Sequence, residues 1–291
     1  MLKFIHILFV LTGILMNSSN KIEYDFSKPN LNIILPSSLQ EISGTVILDS
    51  NTIACIQDEN GILYLYDMQY YRIKKEITFG LNGDYEGIAK VNHTLYILRS
   101  DGVIFEIENY LSYKLQVKEY QTTIPAVNNE GICFDETNNR LLIGEKGKIN
   151  KDPSNKYYRC IYSFDLKTKT LNRLPVFNFN TIDINIMAKM QGVIFPKTKN
   201  KKGNIEDGNV KFNTSEIGIH PITKELYVLS ATDHCLFIFD ENGKLNKIEQ
   251  LNPILFNKPE SLSFYNNGDL LITNEGQSHQ PTLLKFNYLL H

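Results

Sequence analysis

The chain has 291 residues, 42% of them apolar, and a formal net charge of −2. That length holds one large β domain or two small ones, and the near balance of charge excludes the basic surface of a nucleic-acid binder. The one short basic stretch, "KTKNKK" at Lys197–Lys202, reads as a solvated loop.

The N-terminus, "MLKFIHILFVLTGILMNSSNK", has a minimal basic start at Lys3 and an apolar core from Phe4 to Met16. A membrane-spanning helix needs ~20 apolar residues, so this segment fits the h-region of a secretory signal better. Residues 1–20 are therefore expected to be a signal peptide or, if uncleaved, an N-terminal membrane anchor. No Cys follows the apolar core, which argues against lipoprotein anchoring. The body should be exported, to a periplasmic or cell-envelope location, with membrane association through the N-terminal segment.

The remainder, 21–291, repeats. Related units begin at "LQEISG", "YEGIA", "NNEGICFD", "SEIGIHP" and "KPESLSF", and their acids are Glu41, Glu86, Glu130, Glu216 and Glu260. The spacings are 45, 44, 86 and 44. Each unit reads as an apolar strand, a polar turn, a second apolar strand and a third ending in patterns such as "YLYD", "YSFD" or "FIFD". A more variable fourth strand follows. Four short antiparallel strands in ~40–45 residues describe a propeller blade, and a blade buries its faces only against neighbours, so a closed ring is required.

The expected fold is all-β, a single β-propeller of five four-stranded blades with an insertion at about 180–213. Six blades is the alternative, because the double-length gap has room for a degenerate unit. Within it "DINIMAKM" reads as a helical turn. The strand-like run Leu31 to Leu35 is expected to serve as the outer strand of the last blade, closing the ring.

An exported chain with four cysteines invites disulfides. Cys133 and Cys160, however, fall on strands separated by a third, ~9.6 Å apart. A disulfide needs Cα atoms within ~7 Å, so buried free thiols are expected for these and for Cys55 and Cys235.

The innermost strand of each blade lines the channel and pairs antiparallel with the next. Its start therefore shares one end of the ring with the end of the second strand. The second strands end near Asp58, Asp101, Glu145, Asp233 and Glu275, with Glu59 beside the first. Together with the five glutamates these make an acidic channel mouth. Crowded carboxylates must rise in pKa or be neutralised, and hard oxygen ligands suit Ca²⁺ better than Mg²⁺. All ten are candidate metal ligands. The structural alternative is that each glutamate accepts backbone N–H groups from the neighbouring blade, with Gly87 and Gly131 allowing close approach. Lys146 and Arg99, near the same strand ends, could neutralise acids or bind an anion.

No G-x-S-x-G elbow is present, and Ser43, Ser215 and Ser261 lack a telling histidine. His234, beside Asp233, is the better acid–base candidate. His220, beside Pro221, and His279 are read as turn residues.

The blocks "LQEISG", "YEGIA", "NNEGICFD", "SEIGIHPITKELYVLS" and "KPESLSFYNNGDLLITNEG" resemble the SdiA-regulated (YjiK-like) β-propeller family over about 30–290. Departures occur at "SEIGIHP", with Glu216, and at Ser261, where Gly is usual. The resemblance implies an exported or membrane-associated bacterial propeller, related in fold to calcium-using phytase-like esterases and gluconolactonases. It implies no defined activity.

Three functions follow as expectations. One is a monomeric scaffold that binds Ca²⁺ and presents its acidic face to a ligand or protein. Another is a metal-dependent phosphoesterase or lactonase-like hydrolase on the same face, with Glu130, Glu275 or His234 as base. The third is a propeller whose glutamates only tie blades together.

Overall fold

The structure is a computed structural model that describes residues 23–126, 128–147, 155–199, 203–206 and 208–289. The expected leader over 1–20 lies outside the described residues. Among the described residues no helix is long and apolar enough to cross a membrane.

Five antiparallel sheets are arranged as a five-bladed β-propeller. The first described strand, β1 (Leu31–Ile34), belongs to the last blade rather than to the first. Blade I comprises β2 (Ile42–Asp49), β3 (Thr52–Gln57), β4 (Ile62–Asp67) and β5 (Arg72–Thr78). Blade II comprises β6 (Tyr85–Val91), β7 (Thr94–Arg99), β8 (Ile104–Glu108) and β9 (Gln116–Tyr120). Blade III runs β10 (Asn129–Asp135), β11 (Arg140–Glu145), β12 (Tyr158–Asp165) and a two-residue β13 (Thr170–Leu171), and β14 (Phe177–Asn180) also pairs with β12.

The insertion follows. Its helix α1 (Thr181–Met190) precedes a small hairpin, β15 (Thr198–Lys199) with β16 (Ile205–Glu206). Where the sequence suggested one helical turn, α1 has ten residues. The extension is explained by the Asn180 side chain, which caps the Ile182 N–H at 2.9 Å, and by the burial of Ile184 and Ala188 one turn apart.

Blade IV comprises β17 (Glu216–Ile219), β18 (Leu226–Ser230), β19 (Cys235–Phe239) and β20 (Leu245–Gln250). Blade V comprises β21 (Pro259–Phe264), β22 (Leu270–Asn274) and β23 (Thr282–Phe286), and its fourth strand is β1. Leu31 pairs with Lys285 and Ile34 with Thr282, so the N-terminal strand closes the ring as the sequence suggested.

Each seam between blades is filled by its own apolar cluster. Between blades I and II lie Ile56, Leu65, Tyr85, Ile88 and Phe105. Between III and IV, Phe179 of β14 stacks on Phe239 at 4.2 Å between ring centroids and meets Phe212 edge-on. Burying one such ring contributes ~1.5–3 kcal/mol, so these contacts fasten both ends of the insertion to blade IV. All four cysteines are buried and free, and Cys133 on β10 and Cys160 on β12 have β11 between them.

Candidate functional site

Four of the innermost strands carry a β-bulge near their start, and the bulge decides which side chain meets the channel mouth. In blade II the register shifts between Tyr85 and Gly87, so Glu86 is the extra residue. Glu130 holds that place in blade III and Glu260 in blade V. In blade I the extra residue is Ser43, not Glu41. Blade IV has no shift over its paired residues: Glu216 pairs with Leu229, as Gly131 pairs with Gly144 and Gly87 with Leu98. Ser215 stands one residue before it. The ring at the mouth is thus three glutamates and two serines.

Glu86, Glu130 and Glu260 feel one another across the channel. Burial, reinforced by Asp84, pushes the Glu86 carboxyl up to about 8. Burial, reinforced by Glu86 and Glu260, pushes Glu130 up to about 9. Glu260 is also raised by burial, with Lys258, Lys146 and the Ser215 hydroxyl opposing the shift.

Lys146, directly after β11, forms an ion pair with Glu130 Oε1. The carboxylates of Glu130, Glu260 and Glu86 raise its pKa against the effect of its burial. Lys258 pairs with Glu275, and with Glu260 at 3.4 Å. Two lysines therefore act as built-in counter-ions. Even so, Glu130 is only 1% exposed and its Oε2 has no partner among the described residues. Lys146 was legible as a strand-end cation. Lys258 is legible only from its place just before an acidic strand start.

A second carboxyl pair lies beside this ring. Asp58 lies close to Glu41, and burial, reinforced by the charges of Glu41, Glu275 and Glu59, pushes it up to about 7. Glu41, Asp58 and Glu275 thus continue the acidic mouth.

The other predicted acids are engaged elsewhere. Glu216 is buried, and its Oε1 accepts the backbone N–H groups of Ile132 and Ile217, each at 2.9 Å. Its carboxyl is raised well above the usual range by burial, which outweighs those bonds. Asp101 forms a two-point pair with Arg99 at 3.0 and 2.9 Å, which holds its carboxyl below the usual range. Glu145 turns to the Cys160 N–H at 2.6 Å, and burial pushes it up to about 8. Asp233 accepts from the Lys211 and Phe212 amides at 2.8 and 2.7 Å and from Ser230 at 2.9 Å.

The histidines take turn positions. His220 Nδ1 accepts the Thr223 N–H at 3.1 Å and its Nε2 meets the Tyr24 hydroxyl at 2.8 Å, while burial lowers its pKa to about 4. His234 has a left-handed backbone (φ 46°) in the β18–β19 turn, and His279 donates its N–H to Gly276 at 2.6 Å.

Serines tie the seams. Ser43 donates to the Tyr85 carbonyl at 2.7 Å, and Ser261 accepts the Thr45 N–H at 2.8 Å. Among the described residues no three His, Cys, Asp or Glu side chains converge as a ready-made metal site. The mouth is a desolvated acidic cluster held by lysines, suited to exchanging protons or to accepting a cation.

No family model matches the chain, and no curated protein matches it. Solved structures do. Glutaminyl cyclase of Myxococcus xanthus superposes with a TM-score of 0.56 at 12% identity, covering 90% of this chain and 97% of that one. A protein of unknown function from Bacteroides thetaiotaomicron gives 0.51 at 11% identity, covering 86% of this chain and 56% of that one. A chain of a nidogen–laminin complex gives 0.50 at 14% identity, covering 80% and 72%. At such identities the likeness is one of fold, and the chain shares the propeller architecture with these proteins.

Proposed function

We propose that this chain is an exported binding propeller whose channel mouth takes a divalent cation, Ca²⁺, and presents the loaded face to a ligand or protein partner. The observation that carries the reading is Glu130, which is buried, raised to about 9 and unpartnered at Oε2 beside two further glutamates. A desolvated carboxyl cluster gains most from a cation that replaces its protons. Hard oxygen donors on a rim suit Ca²⁺. Glu86, Glu130 and Glu260 would draw in around the ion while Lys146 swings out, because Lys146 now supplies the positive charge there. Export rests on the apolar leader and on the likeness to SdiA-regulated propellers.

Calorimetry and thermal shift with CaCl₂, against NaCl of matched ionic strength at pH 8, test the reading. The expected results are heat of binding, a raised Tm, and loss of both in Glu130→Gln. Lys146→Met should bind more tightly. Absence of heat and shift in the unmodified protein would sink it.

A second reading, a metal-dependent phosphoesterase or lactonase-like hydrolase, is favoured by the Asp58–Glu41 pair. A carboxyl raised to about 7 can give and take a proton at neutral pH. A panel of phosphoesters and lactones, run with and without chelator, tests it. Turnover that chelator abolishes is expected, and inactivity on every substrate with Ca²⁺ present argues against it.

A further inference from the structure

A pocket of about 480 Å³ opens beside blade III, between β12, the start of α1 and the residues leading into blade IV. Since β12 begins where β11 ends, the pocket lies at the same end of the ring as the acidic mouth, further from the axis. Its character is opposite. Lys156, Arg159 and Lys211 line it with Tyr157, Thr181 and Asn185, and among the described residues no acid does. In a chain of net charge −2 such a concentration of cations is local.

Arg159 is 7% exposed. Its Nη1 donates to the carbonyls of Tyr158 at 2.8 Å and Lys156 at 3.4 Å, and its Nη2 to that of Lys211 at 3.2 Å. Its Nε–H finds no acceptor among the described residues. A guanidinium is held in place by carbonyls, then, with donor capacity unspent. The positive end of α1 adds to the field, since Thr181 and Ile182 also line the pocket.

Among the described residues three carboxylates lie near, and none of them supplies the missing acceptor. Glu145 attracts Arg159 but makes no ion pair with it and accepts the Cys160 N–H instead. Asp233 is occupied by two amides and a hydroxyl. Asp183, in the first turn of α1, does not line the pocket.

We propose that this pocket binds the oxyanion of a small organic ligand, a carboxylate or a phosphate ester. Arg159 is the fixed donor, and Lys156 and Lys211 are the mobile cations that close on the anion. Tyr157 (43% exposed) and Ile182 (46% exposed) offer apolar surface to the rest of the ligand.

The test is calorimetry on the exported chain with inorganic phosphate and, separately, citrate, each against NaCl of matched ionic strength. Saturable binding is expected for at least one, and the tighter of the two identifies the source of the oxyanion. Lys156→Gln combined with Lys211→Gln alters exposed side chains and should weaken binding at least tenfold with Tm unchanged. Arg159→Lys keeps the charge but loses Nε–H and should weaken it too. No saturable binding of either anion, or binding that the double variant leaves intact, would overturn the proposal.

Discussion

The Glu216 carboxylate at the start of blade IV accepts the backbone N–H of Ile132 in blade III at 2.9 Å. It stitches two blades at the hub and also holds its own neighbour, Ile217. Glu216→Ala would leave two buried N–H groups without an acceptor, each costing ~1–3 kcal/mol. The expected loss is about 2–6 kcal/mol in urea unfolding. Glu216→Gln keeps an acceptor oxygen and should cost clearly less.

Stability should fall as pH rises. Folded Glu86 and Glu130 hold protons up to about 8 and 9, whereas unfolded glutamates titrate near ~4.3. Between those values the folded state binds more protons. The contribution is fully present below the unfolded value and is lost as pH rises through the folded ones, at no more than ~1.4 kcal/mol per pH unit for one group. His220 works from the other side. Its folded value of about 4 lies below its unfolded value of ~6.5, so its contribution is present above 6.5 and lost as pH falls towards 4. Between about pH 4.3 and 6.5 the two glutamates outweigh the one histidine, so urea midpoints should fall from pH 5 to 9. Glu130→Gln should flatten that fall, and His220→Gln should steepen it below about pH 6.5.

Lys146→Met separates the counter-ion from its packing. At pH 5 the glutamates around it are protonated and the change should cost little. At pH 8 the missing positive charge should lower Tm further. An equal loss at both pH values would show that Lys146 contributes packing alone.

Gly131 sits where two blades nearly touch. A Cβ there would lie 2.8 Å from the Ile217 nitrogen and 3.1 Å from the Glu216 carbonyl carbon, both backbone atoms that cannot step aside. Gly131→Ala should cost about 1–3 kcal/mol through overpacking. Gly147→Ala, with none of the described residues within 4 Å of its Cβ, is the control and should leave the urea midpoint unchanged.

The fold was legible because its signals are local and repeated. Apolar alternation, polar turns and a spacing near 44 residues identify blades, and an orphan strand at Leu31 identifies closure. The site was legible only in part, because a bulge is not written in the apolar pattern. Aligning acids placed Glu41 and Glu216 with Glu86, Glu130 and Glu260. The backbone puts Ser43, two residues on from Glu41, and Ser215, one residue before Glu216, in those places instead, and in blade IV the shift of one residue turns the glutamate from channel to seam. Asp101, Glu145 and Asp233 show a different limit. Their partners are Arg99, the Cys160 amide and the Lys211 and Phe212 amides, and the last three come from chain far away or across a loop. The alternative role, glutamates accepting amides from a neighbouring blade, holds for Glu216, whereas Glu86 and Glu130 face one another.

The ring closes by pairing the first and the last of the described strands. β1 and its partner β23 lie some 250 residues apart in the chain. The propeller therefore cannot seal until β23 has been made, on whichever side of a membrane that happens. An attachment upstream of Leu31 would also pull on the clasp itself. A load borne there would peel four residues from blade V before straining any other blade.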